Sequence, residues 1–363
     1  PYVEAVSRPF LIPRLMIDYG TIKPGFYFYA TEVLDKLLMF GGASVNSIFD
    51  TDYFLLFEFA KLKPTLYAEI YAISRHIKQE FVYFTREGKE DLRFNLFQAV
   101  VGGRAPWKSQ KFWLEVVHSR FRTALTQEIE DFTGEASFEY YVGTSLNLRW
   151  NYNQIPPQYC GNMFPSKGFS LSSDISLERN NLVAGFDLNE DFGTYGPVFD
   201  ANNTVRVVLN LQKNFTLHHE RKIGVAVESD LGWLSNGKID DFFYFFGGGP
   251  PGLRGLTYYD TTAQGTNLAI LTTTARVPVL LEKNIPLGQL IVQNASIGVI
   301  LQAGDAFNGA WLGHRYKSSG GLELRLSGRS FYVFPFALSY EINRLLSTGF
   351  KDYRHSVTLL FDF

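Results

Sequence analysis

Long hydrophobic runs are missing from this chain of 363 residues, although 46% of its residues are hydrophobic. A membrane-spanning helix needs about 18 to 20 consecutive apolar residues. The densest aromatic cluster, residues 242–246, runs directly into Gly247-Gly248-Gly249-Pro250-Pro251. The sequence therefore disfavours a helical membrane protein.

Cysteine and net positive charge are also scarce. The single cysteine, Cys160, allows no disulfide framework and no thiol metal cluster. The formal net charge is -2, so no basic field indicates a nucleic-acid-binding protein. The chain begins Pro1-Tyr2-Val3-Glu4 without a targeting segment, which we interpret as a mature or truncated product.

Catalytic motifs are absent from the sequence. It has no Gly-x-Ser-x-Gly elbow, no His-Glu-x-x-His pair and no Walker loop. The pair His218-His219 has no companion at ligand spacing, and a solvated turn beside Glu220 is the favoured interpretation. We therefore expect no enzyme activity, no cofactor and no metal site.

Aromatic residues are abundant, with 33 Phe and 20 Tyr, while the mean hydropathy is only -0.05. Apolar and polar residues alternate along most of the chain, which is the period of a β-strand with two unlike faces. In the segment 168–179, one face carries Phe169, Leu171, Ile175 and Leu177, and the other carries Ser170, Ser172, Asp174, Ser176 and Glu178. A transmembrane β-barrel combines moderate average hydropathy with such alternation and with aromatic girdles.

We predict an all-β fold, a 16-stranded antiparallel transmembrane β-barrel formed as one domain by residues 1–363. A soluble β-sandwich is the alternative, since alternation alone does not separate the two. The predicted strands are Phe10–Tyr19, Gly25–Ala43, Tyr53–Lys61, Thr65–His76, Glu80–Arg86, Asp91–Val100, Phe112–Gln127, Ser137–Trp150, Gly168–Arg179, Thr204–Asn214, Lys222–Leu231, Asn267–Val279, Ala295–Gly304, Gly320–Leu326, Phe331–Glu341 and His355–Phe363.

The chain ends in alternating apolar residues with a terminal aromatic. Val357, Leu359, Phe361 and Phe363 share one face of the last predicted strand. This pattern resembles the C-terminal β-signal of bacterial outer-membrane barrels, in which an exposed edge strand would template strand addition. An ordinary final strand that ends in Phe is the alternative.

One glycine-rich motif narrows the interpretation. Gly252-Leu253-Arg254-Gly255-Leu256 follows Gly247-Gly248-Gly249-Pro250-Pro251, after the eleventh predicted strand. It resembles the Val-Arg-Gly-Phe/Tyr motif in the sixth extracellular loop of the BamA-like superfamily of outer-membrane barrels. The resemblance extends to Pro165-Ser166-Lys167-Gly168 and Gly304-Asp305-Ala306.

The resemblance implies that this loop folds back into the barrel lumen as a structural latch. In the family, the arginine meets an acidic residue on the thirteenth strand, but this chain has Gln302 at that position. Asp305 or Glu323 would then be the compensating partner of Arg254. A flexible surface loop with a solvated Arg254 is the alternative.

Two prolines mark the first strand. Pro9 and Pro13 cannot donate a hydrogen bond to a β-ladder. We hypothesise that Phe10–Tyr19 and His355–Phe363 form a weak seam, because BamA-like insertases are thought to open at the junction of first and last strands. The alternative is that Pro13 directs its vacant site away from the paired stretch.

The resemblance implies a protein of the bacterial outer membrane that inserts or assembles outer-membrane proteins or translocates polypeptides. Its expected partners are outer-membrane lipid, nascent outer-membrane proteins and periplasmic or lipoprotein subunits, without nucleic acid. Alternatives are a non-gating anchor or scaffold for a periplasmic domain, and a diffusion pore. We expect an upstream periplasmic domain missing from this chain, and the opening Tyr2–Asp18 stretch faintly resembles the join after a TolB-like propeller.

Overall fold

The computed structural model describes residues 7–18, 21–32, 34, 36–83, 86–129, 132–155, 167–189, 194–218, 220–250, 252–330, 334–347 and 352–361. These residues form strands and two single-turn helices, Asp241–Phe243 and Thr261–Ala263. The strands are β1 (Phe10–Asp18), β2 (Thr21–Thr31), β3 (Leu37–Val45), β4 (Thr51–Phe59), β5 (Thr65–Tyr83), β6 (Arg86–Trp107), β7 (Gln110–Ile129), β8 (Phe132–Asn153), β9 (Gly168–Asn189), β10 (Thr194–His218), β11 (Ile223–Leu234), β12 (Phe245–Phe246), β13 (Gln264–Gly265), β14 (Asn267–Leu280), β15 (Ile285–Leu287), β16 (Leu290–Phe307), β17 (Lys317–Ser330), β18 (Phe334–Leu345) and β19 (Tyr353–Phe361). No helix among the described residues has the length and apolar character needed to span a membrane.

The chain divides into two compact units. Unit 1 comprises Pro1–Arg149 and Ser176–Val205, and unit 2 comprises Trp150–Ile175 and Arg206–Phe363. In both units the strands pair antiparallel with their neighbours along the chain. Sequential antiparallel pairing needs only short connections.

Unit 1 contains the strands β1 to β7 in an unbroken meander. The β5–β6 ladder continues from Thr65 opposite Arg104 to Tyr83 opposite Arg86 without a register shift. The β6–β7 ladder runs from Gly88 opposite Ile129 to Trp107 opposite Gln110. These hairpins are therefore much longer than the predicted strands in the same region.

Two predicted strands of unit 1 were placed wrongly. The predicted strand Gly25–Ala43 is two strands, β2 and β3, because Glu32 N–H donates to Leu37 C=O at 3.0 Å and closes a tight turn. Leu34 lies in that turn, so the hydrophobic pattern continues across it. The predicted strand Glu80–Arg86 is instead the end of β5 and the start of β6.

Unit 2 contains an antiparallel succession in which β10 pairs with β11, β11 with β14, β14 with β16, and β16 through β19 follow in order. The short strand β15 pairs with the start of β16, and β12 pairs with β13 as a separate ribbon. The Thr-rich segment of β14 buries Thr272 and Thr274 and exposes Leu271.

The exposed and buried faces of β16 carry the opposite chemistry to that of a soluble protein. Ile297, Val299 and Leu301 are 50%, 47% and 55% exposed, whereas the polar residues that flank them in the sequence, Ser296 and Gln302, are buried. A soluble sandwich buries its apolar faces between two sheets. The inverted pattern is that of strands whose apolar face meets lipid, and it excludes the soluble alternative.

Candidate functional site

The candidate site is the connection between β11 and β14, residues 235–266, which we call the folded loop. The ribbon β12–β13 brings its two arms together, with Phe245 opposite Gly265 and Phe246 opposite Gln264. Between the arms lies the predicted motif, Gly252–Leu256, which we call the tip. The loop belongs entirely to unit 2, as do β14, β16, β17 and β18.

The backbone of the tip turns back on itself. Leu253 N–H donates to Gly247 C=O at 2.7 Å, and Leu256 N–H donates to Leu253 C=O at 3.0 Å. The side chains of Leu253 and Leu256 pack with Ala263 and Leu345 in one buried cluster. Because Leu345 is the last residue of β18, the tip is anchored on that strand and is not solvated.

Gly255 makes the close approach possible. A Cβ atom built on Gly255 would lie 2.7 Å from the backbone nitrogen of Leu345 and 3.0 Å from the carbonyl carbon of Arg344. Both are backbone atoms that no rotamer change can move. The glycine of the motif is therefore required by contact with β18.

Gln302 on β16 holds the backbone of the tip with both ends of its amide. Its Oε1 accepts from the N–H of Arg254 at 2.8 Å, and its Nε2 donates to the C=O of Gly252 at 2.9 Å. The same Nε2 donates to Thr272 Oγ1 at 3.0 Å. The sequence identified this position, and the structure assigns it to the loop backbone and not to the guanidinium of Arg254.

We expect Gln302→Glu to weaken docking of the folded loop by about 2 to 3 kcal/mol. The carboxylate cannot donate the two hydrogen bonds that Gln302 Nε2 gives to Gly252 and Thr272. It would also face the carbonyl oxygen of Gly252 and leave buried groups unsatisfied. Gln302→Met, of similar size and uncharged, is the control and should weaken docking less. Hydrogen exchange at the amides of the tip measures the effect, and equal protection in all three proteins would contradict it.

The guanidinium of Arg254 forms an ion pair with Glu341 on β18, with Nη1 and Oε1 at 2.8 Å. The two side chains are 15% and 9% exposed. A mostly buried arginine needs such a partner, because its charge cannot be left unpaired away from water. The sequence did not indicate Glu341 as this partner.

The two carboxylates expected to compensate at Arg254 are engaged elsewhere. Glu323 pairs with Arg276 across 2.6 Å, and Asp305 pairs with Lys317 across 2.7 Å. The strand register gives the reason for Glu323. It lies opposite Gly298, which lies opposite Arg276, and a Cβ on Gly298 would approach Glu323 Oε2 to 2.9 Å. The missing side chain thus lets Arg276 reach across β16.

Asp305 takes part in a second attachment of the folded loop. Lys317 Nζ contacts both carboxylate oxygens of Asp305 and donates to the C=O of Thr262 in the loop at 2.6 Å. Asp260, which precedes the helix Thr261–Ala263, accepts from Thr262 N–H at 2.9 Å. Burial alone would raise the pKa of Asp260, but the hydrogen bonds from Thr262, with the nearby Lys317 ammonium, lower the pKa below its usual range.

The remaining predicted site residues belong to the two ends of the chain. Val357 and Leu359 are exposed side chains on the same face of β19, Phe361 is its last residue, and Phe363 lies outside the described residues. Pro9 precedes β1, and Pro13 lies within β1 opposite Phe26 of β2. The β-signal and the seam therefore stay predictions. Among the described residues, no group of three or more His, Cys, Asp or Glu side chains could hold a metal ion.

Together, the lipid-type face of the strands and the loop packed on the opposite face define the class of fold. Comparison with solved structures shows that the chain shares the transmembrane β-barrel fold of CdiB and BamA. No family model matches the sequence, and no curated protein matches it.

The particular structures that it resembles include CdiB from Escherichia coli, with a TM-score of 0.52, 11% identity, and coverage of 94% of this chain and 58% of that chain. CdiB from Acinetobacter baumannii gives a TM-score of 0.53, 11% identity, and coverage of 98% and 65%. BamA from Haemophilus ducreyi lacking POTRA domains 1–3 gives a TM-score of 0.50 and 13% identity, with coverage of 99% of this chain and 71% of that chain. The chain thus spans about three fifths of the length of the first of them, and the likeness shows the fold alone.

Proposed function

We propose that this chain is the barrel of a bacterial outer-membrane protein that inserts or assembles outer-membrane proteins, or translocates polypeptides, in the manner of BamA-like barrels. The observation that carries the proposal is the doubly held tip, in which Gln302 binds the backbone and Glu341 binds the guanidinium of Arg254. In a barrel the polar face lines the interior. A loop fixed on that face occupies the space that a diffusion pore needs open.

The fold supports the same proposal. BamA and CdiB share it, and the resemblance of the loop motif to BamA-like barrels implies insertion of outer-membrane proteins or translocation of polypeptides. Nascent outer-membrane proteins, or the polypeptides to be translocated, are the proposed substrates. Periplasmic or lipoprotein subunits are the proposed partners.

The direct test is an insertion assay with the full-length protein in vesicles. An unfolded outer-membrane barrel is added, and its folding is followed by protease protection and by heat-dependent mobility on gels. We expect faster folding than in empty vesicles of the same lipid. An unchanged folding rate overturns the insertion proposal. Export of a polypeptide across the vesicle membrane in a matched assay would then show that the protein translocates polypeptides.

Conductance separates the remaining functions. We expect the wild-type protein in a planar bilayer to stay closed, because the loop is fixed on the polar face. A large steady conductance would identify a diffusion pore. A closed protein inactive in both assays would identify a non-gating anchor or scaffold.

The seam remains part of the proposal. Cysteine pairs placed in Phe10–Tyr19 and His355–Phe363 would crosslink the first and last strands, in a Cys160→Ser background that leaves only the engineered thiols. We expect crosslinking to stop insertion and reduction to restore it. Full activity in the crosslinked protein would show that the strands do not separate during function.

A further inference from the structure

The apolar face of unit 1 ends at one level on three neighbouring strands. On β7, the exposed side chains of Leu114 and Val116 are followed on the same face by His118 and Arg120. On β8, read in the opposite direction, Leu148 and Leu146 are followed by Thr144, whose hydroxyl lies 2.9 Å from His118 Nδ1. This change from apolar to polar is the pattern of a strand that crosses from lipid into water.

The strand β9 shows the same change with a cation directly above the apolar residues. Ile175 and Leu177 are exposed, Ser176 and Asn180 between and beyond them are buried, and Arg179 is exposed on the apolar side. Basic side chains at this depth extend their stems along apolar surface and present their charge to the headgroup layer.

A groove lies at this boundary. It has a volume of about 660 Å³ and is formed by β7, β8, β9 and β10 within unit 1. Its lining combines apolar side chains with polar ones: Val116, Thr144, Ser145, Leu146, Leu177, Glu178, Arg179, Asn203, Thr204 and Val205.

Arg179 differs from the other cations of this face. Arg120 is paired with Glu139, and Arg122 donates to Ser137 Oγ at 2.8 Å. The side chain of Arg179 has no hydrogen bond or ion pair in the part of the chain that the structure describes. The acidic residue beside it, Glu178, accepts from Asn180 on the opposite face.

We propose that this groove binds a phosphate-bearing membrane lipid, with an acyl chain along Val116, Leu146 and Leu177 and the phosphate on Arg179. Guanidinium groups bind phosphate through two parallel hydrogen bonds, and an arginine at the headgroup level attracts anionic lipid. A lipid is the one occupant whose apolar and anionic parts both match the groove. A strand-forming peptide would need free backbone groups, but the ladders of these neighbouring strands are already paired.

Native mass spectrometry of the full-length protein tests the proposal. The protein is released from nanodiscs that contain equal amounts of phosphatidylglycerol and phosphatidylcholine, and the lipids that remain bound are counted. We expect the wild type to retain the anionic lipid about five-fold more than the zwitterionic lipid, as one arginine near the surface would produce. Arg179→Gln should abolish this preference and Arg179→Lys should keep part of it.

Two further variants separate the groove from general surface charge. Arg315→Gln removes an exposed arginine outside the groove and should leave the preference unchanged. Leu177→Ala should lower retention of both lipids, with gel mobility confirming that the variant is folded. An unchanged preference in Arg179→Gln, or an equal loss in Arg315→Gln, overturns the proposal. Complete displacement of the lipid by inorganic phosphate would also overturn it, by showing a plain anion site.

Discussion

Replacing Arg254 with alanine is expected to release the folded loop from β16 and β18. The change removes the ion-pair partner of Glu341 and leaves a mostly buried carboxylate with only the hydrogen bond from Asn343 Nδ2, and breaking a buried ion pair in this way costs about 3 kcal/mol. This loss should destabilise the docked state of the loop and not the strand ladders of unit 2, whose backbone pairing does not involve this ion pair. Limited proteolysis should cut the loop faster, and a planar bilayer that contains the variant should conduct more than one that contains the wild type.

The double variant separates the ion pair from the loss of side-chain volume. Glu341→Ala alone should release the loop to a similar extent, whereas Arg254→Ala with Glu341→Ala should cost less than the sum of the two. Arg315→Ala, at an exposed position outside the loop, is the matched control for the loss of a charge. Additive effects in the double variant would mean that the two side chains do not stabilise the loop as a pair.

Replacing Gly255 with valine should have an effect of similar size by a different route. The new side chain would meet the backbone of β18 at Leu345, so the tip could dock only if the backbone moved. Overpacking of this kind costs about 1 to 3 kcal/mol, and more where backbone has to shift. Hydrogen exchange in 247–257 and the release of Gln302 from the tip, detected as faster exchange at the amide of Arg254, measure the loss.

Gly237 provides the matched control for that experiment. It lies in the same loop, and a Cβ atom built on it has nothing within 4 Å. Gly237→Val should therefore leave loop protection unchanged, while Gly255→Ala should give part of the valine effect. If the loop is equally protected from hydrogen exchange in Gly255→Val and in Gly237→Val, contact with β18 is not what positions the tip.

The fold class could be predicted because the alternation of apolar and polar residues along a strand can be recognised in a short segment of sequence. Alternation in segments such as 168–179 depends only on neighbouring residues, and the exposed Ile175 and Leu177 of β9 lie on the predicted apolar face. Turn positions were less accessible. The turn after β2 carries Leu34, and a hydrophobic residue in a turn looks like a continuation of the strand.

The partner of Arg254 could not be predicted from sequence, because it depends on register across several strands. Arg254 and Glu341 are 87 positions apart, and their contact follows from where the loop folds back. The capture of Glu323 by Arg276 depends on a glycine in the intervening strand. The position of Gln302 was found only because the motif resembles a family pattern. Its two hydrogen bonds to the backbone of the tip could be identified only from the three-dimensional structure.

The unbroken ladders of β5, β6 and β7 have a mechanical consequence. These strands contain 19, 22 and 20 residues, about twice the 9 to 11 that a tilted strand needs to cross a bilayer. If the remaining residues span the bilayer, about half of each strand would extend into water as a stiff arm made of paired backbone. Since side chains alternate every second residue, removing two residues from each strand at facing positions would shorten the arm and preserve which side each remaining residue presents. The length of this arm could thus be changed by paired deletions without altering the residues of the membrane-spanning part.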